Sequence, residues 1–274
     1  MEYSIRLKNG MLLRGFIASP GEKTRANIVF VHGLGEHIGR YEEWAEMLNR
    51  EGIGFTGMDL PGHGRSDGSR GHIRSFDVPG EMIEILYSHS VNTFRGIPLF
   101  LYGHSLGGGI VLDYLLRKKP GLKGAIVTSP WLKLSFEPDR FKILLASLMK
   151  HLIPGLVQPS GLVADHLSHD REVVSRYKSD PLVHDRISVS LFHGAMSAAA
   201  HSLENAAELQ VPLLLMHGSD DKICSQEGSR IFASKTGLAE LKIWEEGYHE
   251  LHNEPFKQEV LTYLVNWINR RLGS

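Results

Sequence analysis

The run Leu101-Tyr102-Gly103-His104-Ser105-Leu106-Gly107-Gly108-Gly109 sets one serine between two glycines where an apolar strand passes into a helix. A chain that does this must turn so sharply at the serine that side chains at Gly103 or Gly107 would strike the neighbouring strand or helix. The five-residue pattern alone fits an ordinary turn as well. Its flanks decide otherwise. Pro98 to Tyr102 reads as a short buried strand, and Leu106 to Arg117 carries Ile110, Leu112, Tyr114 and Leu115 in a helical pattern. The turn lifts the Ser105 hydroxyl clear of the sheet and over a helix N-terminus, whose unpaired amides favour developing negative charge. Ser105 is therefore a candidate nucleophile.

The rest of the chain supplies the sheet that such a turn requires. Tyr3 to Leu7 and Met11 to Ile17 flank Asn9-Gly10, the signature of an antiparallel hairpin. Strands and helices then alternate: strand Ile28 to Val31, helix Tyr41 to Arg50, strand Gly54 to Met58, a helix near Pro79 to Thr93, the serine turn, and strand Gly124 to Thr128. Strand Pro212 to His217, a helix from Gln226, strand Leu241 to Trp244 and a helix Phe256 to Leu272 complete the series. The pattern predicts an α/β protein with a mostly parallel central sheet and helices on both faces.

Between Pro130 and Leu209 the rhythm breaks, with five prolines and no strong buried strand. We read residues 130–209 as an inserted helical cap and residues 1–129 and 210–274 as the core. Within the cap, Phe141 to Ile153 repeats apolar residues at helical spacing. That stripe fits packing onto the core; it also fits a lid helix that faces an acyl tunnel or a membrane surface.

Composition narrows the partners. Thirty basic against 31 acidic residues leave a formal charge of -1, which disfavours nucleic acid. The single Cys224 cannot form an internal disulfide, no apolar run approaches the roughly 20 residues that span a bilayer, and the first residues resemble no signal peptide. A cytoplasmic protein is expected, with transient membrane contact through the cap left open.

Two further loops sit where serine chemistry needs them. In the α/β hydrolase arrangement the acid follows a late strand and the histidine follows the last, in the order Ser, Asp or Glu, His. Leu213 to His217 leads into Gly218-Ser219-Asp220-Asp221, and Ile243-Trp244 leads into Glu245-Glu246-Gly247-Tyr248-His249. His249 would take the serine proton and return it to the leaving group, while an acid, Asp221 in preference to Asp220, fixes its tautomer. After the strand ending at Val31, Gly33 and Gly35 let the backbone bend so that the Leu34 amide can join the Leu106 amide in an oxyanion hole. Gly33-x-Gly35 followed by Asp59 faintly suggests a dinucleotide turn, but the third glycine is Gly39 rather than residue 38 and a hairpin precedes the strand. His249-Glu250-Leu251-His252 is one residue short of the zinc motif H-E-x-x-H. No cofactor and no metal are expected.

Several blocks together carry a resemblance. His32-Gly33-Leu34-Gly35-Glu36-His37-Ile38-Gly39-Arg40-Tyr41, Asp59-Leu60-Pro61-Gly62-His63-Gly64-Arg65-Ser66, the serine turn, Gly218-Ser219-Asp220-Asp221-Lys222-Ile223-Cys224 and Tyr248-His249-Glu250-Leu251-His252 resemble the monoacylglycerol lipases and their bacterial lysophospholipase-like relatives. The resemblance implies the α/β hydrolase fold, a capped acyl channel and a small lipid or ester substrate. It supports Asp221 as the acid. It also implies that Glu36, Arg40 and His252 line a polar headgroup end, with Tyr177 nearby and Cys224 close to the site. Glu36 and Arg40, four apart near a helix start, fit an i,i+4 ion pair equally well. The cap agrees only loosely with the family, so acyl length and headgroup stay open among monoacylglycerol, lysophospholipid and short-chain ester, with a peptide amine substrate further away.

Overall fold

The structure, a computed structural model, describes residues 1–136 and 153–273. Strands β1 (Glu2–Arg6) and β2 (Leu12–Ala18) form the expected hairpin, with Gly10 in the left-handed region at the turn. Six strands follow: β3 (Ala26–Val31), β4 (Ile53–Met58), β5 (Leu99–His104), β6 (Gly124–Thr128), and, after the 130–209 segment, β9 (Leu213–Gly218) and β10 (Ala239–Trp244). The sheet order is β1-β2-β4-β3-β5-β6-β9-β10. β2 runs antiparallel to both its neighbours, and all pairs from β4 to β10 are parallel.

Both faces of that parallel sheet are covered, which is why its strands read as continuous apolar runs rather than as alternations. Successive residues point to opposite faces. Val29, Val31, Leu101, Val127 and Leu215 share one cluster with α3 (Leu106–Lys118) and α6 (Gln226–Ser234). Ile28, Phe30, Phe100, Ile126 and Met216 share the other with α1 (Glu42–Arg50) and α7 (Lys257–Leu272). Each large apolar side chain so buried contributes about 1.5–3 kcal/mol of transfer free energy. Helix α2 (Asp77–Thr93) begins two residues before Pro79, which sits in the first turn, where its missing N–H breaks no helical bond.

The chain leaves β3 for β4 on one side and returns to β5 on the other, so the crossover direction reverses at β3. Open parallel sheets bind ligands outside the carboxyl ends of strands at such a reversal. The loops after β3, β5, β9 and β10 all emerge at that edge.

The segment 153–209 holds more regular structure than its sequence suggests. β7 (Val157–Pro159) pairs with β8 (Arg186–Ser188); α4 (Arg171–Ser179) lies between them in the chain and α5 (Val189–Asn205) follows β8. Helix α5 packs along α3 through buried Ala195, Ala198, Ala199 and Ser202. A face of small residues gives close helix contact without an apolar stripe, so the periodicity that marks ordinary amphipathic helices is weak there. The Phe141 to Ile153 stripe lies outside the described residues except for Ile153, which is exposed.

Candidate active site

The site is built on the turn from β5 into α3. Ser105 occupies the N-cap of α3 at φ +54° and ψ -118°, a strained conformation for a residue with a Cβ. The strain is sustained by close packing: a Cβ on Gly107 would run into the carbonyl oxygens of Val31 and His32, and one on Gly103 into that of Gly107. With glycine at both places α3 lies close against β3 and β5, and the Ser105 amide is pinned to Thr128 O at 3.0 Å.

The loops after β9 and β10 bring two groups to this serine. His249 Nε2 is 2.9 Å from Ser105 Oγ, and His249 Nδ1 is 2.7 Å from Asp221 Oδ2. Asp221 is held in turn by the amides of Ile223 and Cys224, which donate to Oδ1 at 2.8 and 2.9 Å. Asp220 is exposed and, among the described residues, its carboxylate accepts only from the Ser219 hydroxyl, at 3.0 Å. The Ser129 hydroxyl donates to His249 O at 2.8 Å and anchors the histidine loop. Burial alone would raise the Asp221 carboxyl, but His249 and His217 beside it hold it well below the usual carboxylate range. Burial pulls His249 down, yet Asp221 outweighs it and leaves the imidazole above its ordinary value of 6.5. A hydroxyl, an imidazole and an ionised carboxylate thus stand in line.

The loop after β3 faces the same serine. A Cβ on Gly33 would lie 3.1 Å from Ser105 Cβ, so backbone takes the place of a side chain there. Leu106 opens α3 and its amide has no intrahelical acceptor. Among the described residues neither it nor the Leu34 amide has a hydrogen-bond partner. Two free donors therefore flank the serine.

Behind this loop lies a buried ionic cluster. Arg40 donates to Glu36 Oε2 at 2.7 Å and to both oxygens of Glu250 at 2.7 and 2.8 Å. Glu36 Oε1 accepts from the Gly33 amide at 2.6 Å and from the Tyr41 hydroxyl at 2.8 Å. The i,i+4 pair expected from the sequence is present, and Glu250, which sequence reasoning passed over, completes it. Burial and Glu250 push the Glu36 carboxyl up against the pull of Arg40, while Arg40 holds Glu250 far down despite its burial. The Arg40 guanidinium also lies over the Tyr177 ring, 4.7 Å from its centre.

Glu36, Tyr177 and Glu250 line the cleft at Ser105, together with Leu34, His104, Leu162 and Leu167. His252 does not line it. Its ring stacks on Tyr41 at 4.7 Å and meets His104 edge-on at 5.1 Å, and burial pushes it down to about 3, so it is neutral. Cys224 is buried beside Asp221, where burial pushes its thiol up.

One further residue at the acid was not singled out from sequence. His217, the penultimate residue of β9, sets Nε2 3.1 Å from Asp221 Oδ2. The signal was faint but present, since His217 and Asp221 stand four apart across a strand end and loop.

Fold and site together define a serine hydrolase of the α/β hydrolase fold. The chain belongs to the Hydrolase_4 family of serine aminopeptidase (S33) type, whose family model matches residues 22–256. Among its relatives, an uncharacterized abhydrolase domain-containing protein of Dictyostelium discoideum is 36% identical over 260 residues, covering 93% of this chain. The match spans only 27% of that relative's length. A monoacylglycerol lipase of Mycolicibacterium smegmatis is 30% identical over 270 residues, covering 97% of this chain and 96% of that one. The crystal structure of the Paleococcus ferrophilus monoacylglycerol lipase is 34% identical with a TM-score of 0.86, covering 94% of this chain and 99% of the other. No helix among the described residues is long and apolar enough to cross a membrane.

Proposed function

We propose that this protein hydrolyses monoacylglycerols to free fatty acid and glycerol, with Ser105 as nucleophile, His249 as general base and acid, and Asp221 as the residue that orients it. The observation that carries this reading is the unbroken line from Ser105 Oγ through His249 to Asp221, at 2.9 and 2.7 Å. Ser105 Oγ attacks the ester carbonyl as its proton passes to His249 Nε2. The carbonyl oxygen gains the negative charge and meets the amides of Leu34 and Leu106. Collapse breaks the acyl C–O bond; glycerol leaves with the proton from His249, and the acyl group stays on Ser105. Water then attacks, gives its proton to His249, and the fatty acid departs as Oγ recovers that proton.

The substrate follows from the relatives from Mycolicibacterium and Paleococcus, both named for monoacylglycerol hydrolysis. A polar headgroup end fits Glu36 and Tyr177 on the cleft wall with Arg40 behind them. Both oxygens of Glu36 already accept hydrogen bonds, so its part is to shape and polarise that end. His252, seated behind Tyr41, supports the same wall. We take residues 130–209 as the cap over a core of residues 1–129 and 210–274. Exposed Phe136, Ile153, Leu156 and Val163 within it suit transient contact with a membrane surface that carries the lipid. A cytoplasmic location fits the single free thiol of Cys224.

The family description makes an aminopeptidase the natural second reading. Such an enzyme must bind a protonated amine, and the carboxylates that line the cleft at Ser105, Glu36 and Glu250, are both engaged by Arg40. A panel of monoacylglycerols, a lysophosphatidylcholine, p-nitrophenyl butyrate and an aminoacyl p-nitroanilide separates the readings. Long-chain monoacylglycerols should exceed the lysophospholipid and the anilide by about tenfold or more in kcat/KM. Faster turnover of the anilide would overturn the lipase assignment.

A further inference from the structure

The acid of the proposed triad serves two imidazoles. Asp221 Oδ2 lies 2.7 Å from His249 Nδ1 and 3.1 Å from His217 Nε2. The second ring is buried at the base of the site and makes two further contacts. Its Nε2 is 2.9 Å from Cys224 O, and its Nδ1 is 2.8 Å from the Ser229 hydroxyl. A carboxylate and a carbonyl can only accept, so Nε2 must carry a hydrogen, with Cys224 O as its acceptor and Asp221 Oδ2 beside it. The hydrogen on Nε2 is thereby fixed by its neighbours. Ser229 lies within α6 and is itself fully buried, so the chain of contacts runs from a core helix through His217 to the acid.

Resting on the reading of Asp221 as the orienting acid, we propose that His217 is a positioning residue: its Nε2–H, hydrogen-bonded to Cys224 O, lies 3.1 Å from Asp221 Oδ2 and draws off part of the carboxylate charge that His249 would otherwise receive. Two consequences are physical. The Ile223 and Cys224 amides on Oδ1 and His249 on Oδ2 already restrain the carboxylate, and a further N–H beside Oδ2 adds to its resistance to rotation, so the imidazole keeps the orientation that presents Nε2 to Ser105. A donor on the far side also tempers how strongly the carboxylate raises the basicity of His249. Other groups face the same pair: His104 from β5, His252 and Glu250 from the loop after β10, Glu36 from the loop after β3, and the Cys224 thiol. All stay in place when His217 alone is changed.

His217→Leu removes the donor; His217→Gln returns an amide N–H at about the position of Nε2. With a monoacylglycerol substrate the leucine variant should lose about tenfold in kcat with KM within about twofold, the size expected when a hydrogen bond to a charged group is lost. Its acidic limb in kcat/KM should move up by about 0.5–1 pH unit, since the carboxylate then acts on His249 unshared. The glutamine variant should restore both. Both variants will melt lower, because the ring packs in the core, but packing alone moves neither the limb nor the glutamine comparison. An acidic limb in place with unchanged kcat in His217→Leu would overturn the proposal, as would a glutamine variant as impaired as the leucine one. Should His217→Leu fail to fold, Ser229→Ala, which releases Nδ1 by deleting one oxygen, reads the same quantity: a smaller upward shift supports it and no shift rejects it. Asp221→Asn run alongside keeps the two readings apart. If that variant stays active the triad assignment fails; if it is inactive while His217→Leu matches the parent, only the role of His217 does.

Discussion

Replacing Ser105 with alanine is expected to lower monoacylglycerol turnover by on the order of a million-fold, the scale seen when a triad nucleophile is removed elsewhere. The loss is large because the remaining groups have nothing to activate. His249 would hold its proton-accepting nitrogen toward a methyl group, and a water would have to find the place Oγ occupies at 2.9 Å. What survives is binding and the Leu34 and Leu106 amides proposed to meet the oxyanion. Folding should be nearly untouched. Alanine meets the same positive φ that serine does, and no backbone bond of the turn depends on the hydroxyl. A thermal melt unchanged beside the lost turnover is the expected pair of results, and a loss of less than tenfold would remove Ser105 from the reaction.

The second large effect concerns the acid. Asp221→Asn is expected to cost about ten-thousand-fold in kcat, as the same change does in a serine protease triad. The side chain keeps its shape but presents an amide to His249, so the imidazole turns its lone pair toward position 221 and its hydrogen toward Ser105. The base is then spent. Asp220→Asn should stay within about twofold, because the neighbouring carboxylate is exposed and accepts from the Ser219 hydroxyl rather than meeting His249. Activity lost in the Asp220 variant and kept in the Asp221 variant would reverse the assignment.

How far the sequence carries depends on which physical signal each feature leaves. The turn at Ser105 is legible because its glycines are a steric need and its flanking strand and helix are strongly apolar. The sheet is legible for a related reason: strands buried on both faces have to be continuous apolar runs, and β3, β5, β6 and β9 all are. Even the choice between Asp220 and Asp221 could be made from spacing within a resembling block, and only the second carboxylate meets His249. Helix α5 was missed because alanine and serine pack it against α3 without a hydrophobic stripe. Glu250 was in view as a motif residue, but its bidentate bond to Arg40 spans 210 positions of chain, and no local pattern encodes that. His217 shares the difficulty in milder form. Strand periodicity announces a buried position there, and only the folded loop turns that position toward the acid.

The reaction itself leaves a covalent trace, and catching it tests the central claim most directly. The protein is treated with a long-chain alkyl fluorophosphonate, which transfers its phosphonyl group to an activated serine with loss of fluoride, and the modified peptide is located by mass spectrometry. One adduct per chain on Ser105, formed in step with the loss of monoacylglycerol hydrolysis and absent from Ser105→Ala, is the expected result. An adduct on another serine that tracks the lost activity, or full hydrolysis in a protein carrying the group on Ser105, would contradict it.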